Sequence, residues 1–557
     1  MEIKVTQQEA EQLMLETPTT ANLRHWSKEY SAKPHLAGDL AHATRIRDLW
    51  RSYGIPTELE QYDVLQNFPV SQRLQLLDSD GEVAFEASLT EDEVPEDPTS
   101  SPKNGLPAFH GFSANGEACA ELVYANFGEL RDFELLESKG ISVKGKIVIC
   151  KYAKVFRGLK VRAAEQYGAA AVVLYNDPQE DGQYTEANGY KSFPHGPARH
   201  PKSIQRGSVD FFSIAVGDPT TPGYPSLPGN DVERQDPGHA TPKIPSLPIS
   251  YADAVPFLKA LNGQGLSPFS MGGEGSDWKG CLADIDYFTG PSKVRVSLAN
   301  HDLNVDEATN GGQVLGVTGS PLLASVLRDV TQLIRSPIHE GKTVYDDWLG
   351  DQRRTDPGRP TPVLDLMGTG SDYTVFFNHL GIPSVDLLFN RQGQGVYPYH
   401  SNYDSFYWVE KFGDVGFKKH LAMAQLWGLL TIRLAGTGSI LFEAVEYPKV
   451  LAHHSKQLET KYGSLLDLSA LDRVISRFHA AALEVDTRSN TKASPTSLQP
   501  DSGIFAPGLW YGYDGVIFPG VVECMEAEDM KGAIEWIAKI VEAIERVTRL
   551  LLIKTGV

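Results

Sequence analysis

Apolar residues recur at helical spacing in some stretches of this chain and cluster or alternate at strand spacing in others. Residues 9–15 form an early amphipathic stretch and residues 41–53 a second, closed by Gly54; both predict helices. Between them Lys33-Pro-His-Leu-Ala-Gly38 is a turn-rich loop. After Tyr62-Asp-Val-Leu65 the pattern changes to short strands. Residues 74–77 and 82–85 flank Asp78-Ser-Asp-Gly81, which predicts a hairpin. Residues 91–104, with their acids and Pro95, Pro98 and Pro102, predict a solvated loop. Gly145-Lys-Ile-Val-Ile-Cys150 reads as a buried strand, residues 160–167 as a helix and Ala169-Ala-Ala-Val-Val-Leu-Tyr175 as a second strand. That is one βαβ unit, whose parallel strands need a covering helix.

Residues 178–248 are dominated by loops, with Pro and Gly crowded in Gly217-Asp-Pro-Thr-Thr-Pro-Gly-Tyr-Pro225. So long an irregular run is more often functional or packed on a neighbour than free. Val294, Val296 and Leu298 alternate with polar neighbours as an exposed edge strand does. A helix is predicted from Ser320 as N-cap and Pro321 as first residue, with Leu322, Leu323, Val326, Leu327, Val330, Leu333 and Ile334 on one face. Residues 385–389 read as a short apolar strand. Beyond residue 442 the pattern is mostly helical, and Ile534, Ile537, Ile540, Val541, Ile544, Val547 and Leu551 recur at helical spacing in a last helix. A terminal helical domain packing on the body, or on a second subunit, follows.

A length of 557 residues exceeds what one core organises and predicts three to four domains. Acids outnumber bases 71 to 51, a net charge of −20, and no block of Lys and Arg reverses this locally. Sequence-independent nucleic-acid binding therefore lacks its electrostatic footprint, and anionic membrane surfaces are poor partners. No apolar run reaches the roughly 18–20 residues that span a bilayer, and the first twenty residues lack a signal-peptide design. The four cysteines (Cys119, Cys150, Cys281, Cys524) lie far apart without a CxxC pair, which argues against a disulfide framework or a zinc knuckle. No Asn-x-Ser/Thr sequon occurs. The chain reads as a soluble acidic protein whose compartment stays open.

Metal-competent side chains concentrate in His301-Asp302-Leu-Asn-Val-Asp306-Glu307 and in Tyr397-Pro-Tyr-His400-Ser-Asn-Tyr-Asp404. Both follow short apolar strands, where open α/β sheets place their sites. Taken alone, each reads more readily as surface or capping residues. Gly368-Thr-Gly-Ser371-Asp372 could cradle a ligand on its N–H groups or be a plain turn.

Read together and in order, Pro34-His-Leu-Ala-Gly38, Tyr62-Asp-Val-Leu65, Val155-Phe-Arg-Gly158, the 217–225 run, Leu303-Asn-Val-Asp306, the 368–372 loop, Tyr399-His400-Ser401, Val409-Glu-Lys-Phe412 and Phe518-Pro-Gly520 resemble the glutamate carboxypeptidase II and transferrin receptor family. The family comprises co-catalytic zinc peptidases and non-catalytic relatives. The resemblance implies an α/β peptidase domain with a mixed sheet flanked by helices, assembled from residues 1–66 and 301–440. It implies an inserted apical, protease-associated domain over 67–300 and a helical dimerisation domain over 441–557, hence a homodimer.

Carried over residue by residue, Asp306 resembles a ligand of one zinc ion and His400 a ligand of the other. Tyr399 resembles a transition-state hydrogen-bond donor, Gly370 and Ser371 the lining of a peptide-substrate cleft. Arg157 resembles an arginine that meets the substrate carboxylate, and Tyr513 a tyrosine from the helical domain. Thr221 and Tyr224 resemble residues offering carbonyls to a structural calcium. Relatives place a long stretch before the strand that ends in the aspartate matching Asp306. It carries a His-x-Asp-type motif, the bridging aspartate and a Glu-Glu pair whose first member is the general base. Here only residues 299–304 stand there, too few even for a crossover helix of about a dozen residues. One ligand per ion and no bridge cannot hold a zinc pair, which takes about three protein ligands per catalytic ion. Loss of the base alone costs about 10²–10⁴-fold in rate.

The substrate pocket departs too. Asp386 and Leu388 stand where glutamate-selective members have two arginines, Gly512 replaces a lysine and Ser208 an asparagine. Two functions are therefore expected: a zinc exopeptidase by descent whose chain as written is inactive, or a non-catalytic receptor-like binding platform. Many relatives carry one N-terminal membrane helix, which this sequence does not show.

Overall fold

The architecture is that of a computed structural model. It describes residues 5–33, 35, 39–101, 105–229, 231–273, 276–301, 314–391, 395–436, 442–489, 505–507 and 515–555. The chain forms two compact units. One comprises Ser27–Gly311 and Gly393–Gly413; the other comprises Met1–Trp26, Gly312–Gln392 and Asp414–Val557.

The first unit is built on seven strands: β1 (Ser71–Leu77), β2 (Val83–Glu86), β3 (Gly116–Tyr124), β4 (Ile147–Lys151), β5 (Ala171–Tyr175), β6 (Ser246–Ile249) and β7 (Arg295–His301). Their order is β2-β1-β7-β3-β4-β5-β6. The β2-β1-β7-β3 part is antiparallel and β3-β4-β5-β6 is parallel, so the sheet is mixed. Every residue of β4 and β5 is buried, which is why both read as apolar runs, broken only by Lys151 at the end of β4. The helix Arg157–Gln166 makes the β4–β5 crossover, the predicted βαβ unit. The predicted hairpin is β1–β2.

Two expectations fail in this unit. β7 is no edge strand: it pairs with β1 on one side and β3 on the other. Its alternation reports one apolar face, with Val296 and Leu298 wholly buried, and says nothing about neighbours in the sheet. Nor are residues 91–101 a solvated loop, since Glu91, Val94, Asp97 and Ser100 are all buried. The acids are tolerated because each is answered. Asp97 accepts from Thr99 and from Ser405, and Glu91 accepts from Arg206. By contrast the helix Leu40–Ser52 buries no residue, and Trp50, Tyr53, Ile55, Tyr62 and Val64 are exposed.

The second unit has a sheet of only two strands among the described residues besides a short pair, β10 (Phe505–Pro507) with β11 (Gly515–Ile517). The larger pair is β8 (Val314–Gly319) with β9 (Val385–Arg391), antiparallel. Leu315, Val317, Leu387 and Phe389 meet the helices Ala324–Leu333, Val344–Gln352 and Lys418–Gly436 in one core. The predicted start at Ser320–Pro321 is a 3-10 turn, Pro321–Leu323, and the α-helix begins at Ala324. Ser320 makes no cap bond through its side chain, and Leu333 is exposed at the helix end. The helix Gln7–Glu16 lies along Lys418–Gly436, tied by Arg433 Nε to Glu11 Oε1 at 3.0 Å. The helices Glu446–Tyr462, Ser469–Ser489, Pro519–Glu526 and Met530–Thr555 share a core of Leu451, Leu471, Phe478, Ile540 and Ile544.

The molecule is thus an α/β protein with a mixed sheet flanked by helices and a C-terminal helical part, the class the sequence predicts.

Candidate functional site

Three of the residues singled out in the sequence come together inside the seven-stranded unit. Arg157 is the first residue of its helix and is buried. Its Nη1 donates to the Ser208 carbonyl at 3.2 Å and its Nη2 faces His400 Nδ1 at 3.1 Å. The same Nδ1 lies 3.0 Å from the Arg206 carbonyl. The two contacts demand opposite protonation of one nitrogen, so His400 engages Arg157 as an acceptor or the carbonyl as a donor, not both. The Tyr399 ring stacks on the His400 imidazole with centroids 4.0 Å apart and lies 5.9 Å from the Arg157 guanidinium.

Gly207 makes this approach possible. Its φ is +117°, and a Cβ there would stand 2.5 Å from Arg157 Cζ and 2.7 Å from His400 Nδ1. Beneath the cluster His110 is wholly buried between Ser246 Oγ (3.0 Å) and Tyr152 OH (2.8 Å). Tyr152 OH gives its proton to the Gln205 carbonyl at 2.6 Å, so His110 Nε2 is the donor to Tyr152. Burial, with the charge of Arg157 and of His400 next, holds the His110 pKa well below the ordinary histidine value.

Sequence reasoning missed Glu91 and Arg206. Arg206 makes a two-pronged bond to Glu91, at 3.0 and 2.6 Å, and its Nη1 also reaches the His400 carbonyl at 3.3 Å. Nothing local marked them: Glu91 stands between Thr90 and Asp92 in an acidic, proline-rich run, and Arg206 between Gln205 and Gly207.

The other candidates lie elsewhere. Gly370 and Ser371 belong to the second unit, where Ser371 O accepts from Thr374 Oγ1 at 2.7 Å. Asp306 and Tyr513 lie outside the described residues. Thr221 and Tyr224 sit in the 217–225 loop. Thr221 Oγ1 shares a 2.6 Å hydrogen bond with Ser226 Oγ, and the Thr221 carbonyl accepts from Tyr224 N at 3.3 Å. Nearby, Asp218 accepts from Leu65 N, Thr220 N, Thr220 Oγ1, Ser226 Oγ and Arg234 Nη1. Burial raises its pKa, but the bonds from Ser226 and Thr220 outweigh that and leave the carboxyl below its usual range. With its one carboxylate saturated and a guanidinium beside it, this loop does not by itself fit a calcium ion.

Nor do the described residues fit a zinc pair. No three or more His, Cys, Asp or Glu side chains among them converge on a point, and His400 Nδ1 faces a guanidinium, which repels a dication.

A PA-domain family model matches residues 103–206, and a transferrin receptor-like dimerisation domain matches 501–552. A probable glutamate carboxypeptidase of Arthroderma benhamiae is 32% identical over 664 aligned positions, covering 96% of this chain and 90% of that protein. The chain belongs to the glutamate carboxypeptidase family. Vacuolar protein sorting-associated protein 70 of Saccharomyces cerevisiae is 31% identical over 506 positions, covering 72% of this chain and 60% of its own length. The aminopeptidase NAALADL1 of Rattus norvegicus is 26% identical over 613 positions, covering 86% and 80%. The solved aminopeptidase from Aneurinibacillus sp. strain AM-1 reaches a TM-score of only 0.30 at 14% identity, over 76% of this chain and 95% of that one.

The alignment lengths carry a second finding. In the Arthroderma match, 96% of 557 residues is about 535, so about 130 of the 664 positions face no residue of this chain. The rat match, with 86% or about 480 residues in 613 positions, leaves about as many. No helix among the described residues is long and apolar enough to cross a membrane.

Proposed function

We propose that this chain descends from a zinc-dependent exopeptidase acting on peptides, and that the polypeptide as given holds no zinc pair and does not hydrolyse them. One observation carries the reading: relatives have about 130 aligned positions that this chain lacks. We locate the loss between β7 and β8, where only residues 302–313 connect the two strands. The two-stranded β8–β9 sheet and the exposed apolar residues from Trp50 to Val64 are what such a loss leaves behind.

In this reading residues 1–66 and 301–440 are the remains of the peptidase domain, 67–300 the apical domain and 441–557 the dimerisation domain. Asp306 and His400 are the surviving zinc ligands, one for each ion. Tyr399 would have stabilised the transition state, and Arg157, Gly370, Ser371 and Tyr513 would have met the substrate. Any calcium at Thr221 and Tyr224 would need carboxylates from outside that loop.

A second reading, a dimeric binding platform without catalysis, is favoured by the dimerisation model over 501–552. Hydrolysis decides between enzyme and platform. The purified chain, given zinc and a panel of peptides with C-terminal glutamate or free N-termini, is expected to release no amino acid above the rate without protein. Turnover that a chelator abolishes would overturn the proposal.

A further inference from the structure

We propose that Glu91 and Arg206 are positioning residues for His400: their ion pair holds the His400 peptide in its left-handed conformation and so fixes where the imidazole points. Calling His400 a former zinc ligand rests on the reading above; the positioning itself rests on geometry alone.

His400 has φ +60°, a sparsely populated region for a residue with a Cβ, and needs its surroundings to keep it there. A turn closed by Ser401 N on the Pro398 carbonyl at 2.9 Å bends the chain locally, and this ion pair ties that turn to the rest of the unit. The His400 carbonyl accepts from Arg206 N at 3.4 Å and from Arg206 Nη1 at 3.3 Å. The next two residues bond to the other partner: Ser401 Oγ donates to Glu91 Oε1 at 2.8 Å and Asn402 N at 3.1 Å. Residues 400, 401 and 402 are thus each tied to the pair.

The pair is itself anchored to backbone elsewhere. Arg206 Nε donates to the Pro107 carbonyl at 2.9 Å, and Glu91 Oε1 accepts from Ile204 N at 3.1 Å. The Glu91 side chain is wholly buried and that of Arg206 is 7% exposed, so water does not compete for these bonds. The backbone conformation at residue 400 sets the Cα–Cβ direction, and through it the contact of Nδ1 with Arg157.

The test reads the imidazole itself. In the full chain labelled with ¹³C-histidine, the Cε1–Hε1 resonance of His400 is identified by its absence in His400→Gln. Glu91→Gln and Ser401→Ala are expected to displace that resonance by more than its linewidth or to split it. Arg199→Gln is the control: it breaks a similarly shielded pair in the same unit, Arg199 with Asp181 at 2.6 and 2.9 Å, and should lower Tm while leaving the resonance in place. If Glu91→Gln does not fold, Ser401→Ala and Arg206→Lys carry the same test. A His400 resonance unmoved in every folded variant, or moved equally by Arg199→Gln, overturns the proposal. Neither zinc binding nor turnover enters the readout, so failure of the peptidase reading leaves this result to stand or fall separately.

Discussion

The two compact units solve the problem of a sheet differently. In the first, seven strands complete each other's ladders, and the parallel ones are buried on both faces behind helices. In the second, β8 and β9 have only each other as full-length partners among the described residues, and a two-stranded sheet is marginal by itself. What keeps it is the layer of helices on one face, where Leu315, Val317, Leu387 and Phe389 meet Leu327, Trp348 and Leu426. The difference is the one expected of the loss proposed between β7 and β8. The first unit covers its parallel strands on both faces while its residues 40–64 stay unburied, and the two strands of the second unit lean on helices.

The largest expected effect probes the polar interior of the first unit. Arg206→Met strands the buried Glu91 carboxylate and should cost about 3–5 kcal/mol, measured as the shift of that unit's unfolding transition. Arg328→Met, which removes one of two partners of Glu446 in the second unit, should cost less because Lys449 still pairs with Glu446 at 2.7 Å and the Arg328 pair is more exposed, at 17% and 7%. An equal loss in both would erase the contrast.

Hydrophobic truncation comes next. Ile149→Ala, at a wholly buried strand centre, should fall in the upper part of the ~2–5 kcal/mol range for such changes. Leu387→Ala on the two-stranded sheet should fall in the lower part, since a smaller layer collapses more readily onto the cavity. Chemical denaturation of the two variants orders them.

The units should also answer pH in different ranges. Burial lowers the His454 pKa to about 4, with His453 adding to the effect. The folded helical part therefore binds fewer protons than the unfolded chain between about 4 and the unperturbed histidine value near 6.5, so stability is lost as pH falls through that window. His454→Gln should flatten this loss. In the first unit burial lowers Lys160 to about 8, so its contribution to stability rises with pH from about 8 towards 10.5, and Lys160→Met should remove that rise. Tm against pH checks both.

Smallest is a cap. Thr343 closes a capping box with Asp346 at the helix Val344–Gln352, and Thr343→Ala should cost ~1 kcal/mol in thermal unfolding.

The sequence made the βαβ unit readable because residues 147–150 and Ala171–Tyr175 are apolar without interruption, as strands buried on both faces tend to be. The last helix was readable because Ile537, Ile540, Ile544, Val547 and Leu551 keep one buried face; Val541 is only partly buried and Ile534, grouped with them by spacing, is exposed. The place of β7 in its sheet was not, since alternation encodes faces and not neighbours. At the candidate site, Arg157, Tyr399 and His400 were legible only through resemblance, for nothing local joins residues more than 240 apart. Glu91 was misread because a charge in an acidic, proline-rich run looks solvated until the arginine that answers it, 115 residues on, is placed beside it.

Zinc content tests the central claim most directly. The purified full chain, equilibrated with excess zinc, passed through a desalting column and measured by elemental mass spectrometry, should retain well under one ion per polypeptide, unchanged by His400→Gln. Two ions per chain, lost on that substitution, would contradict it.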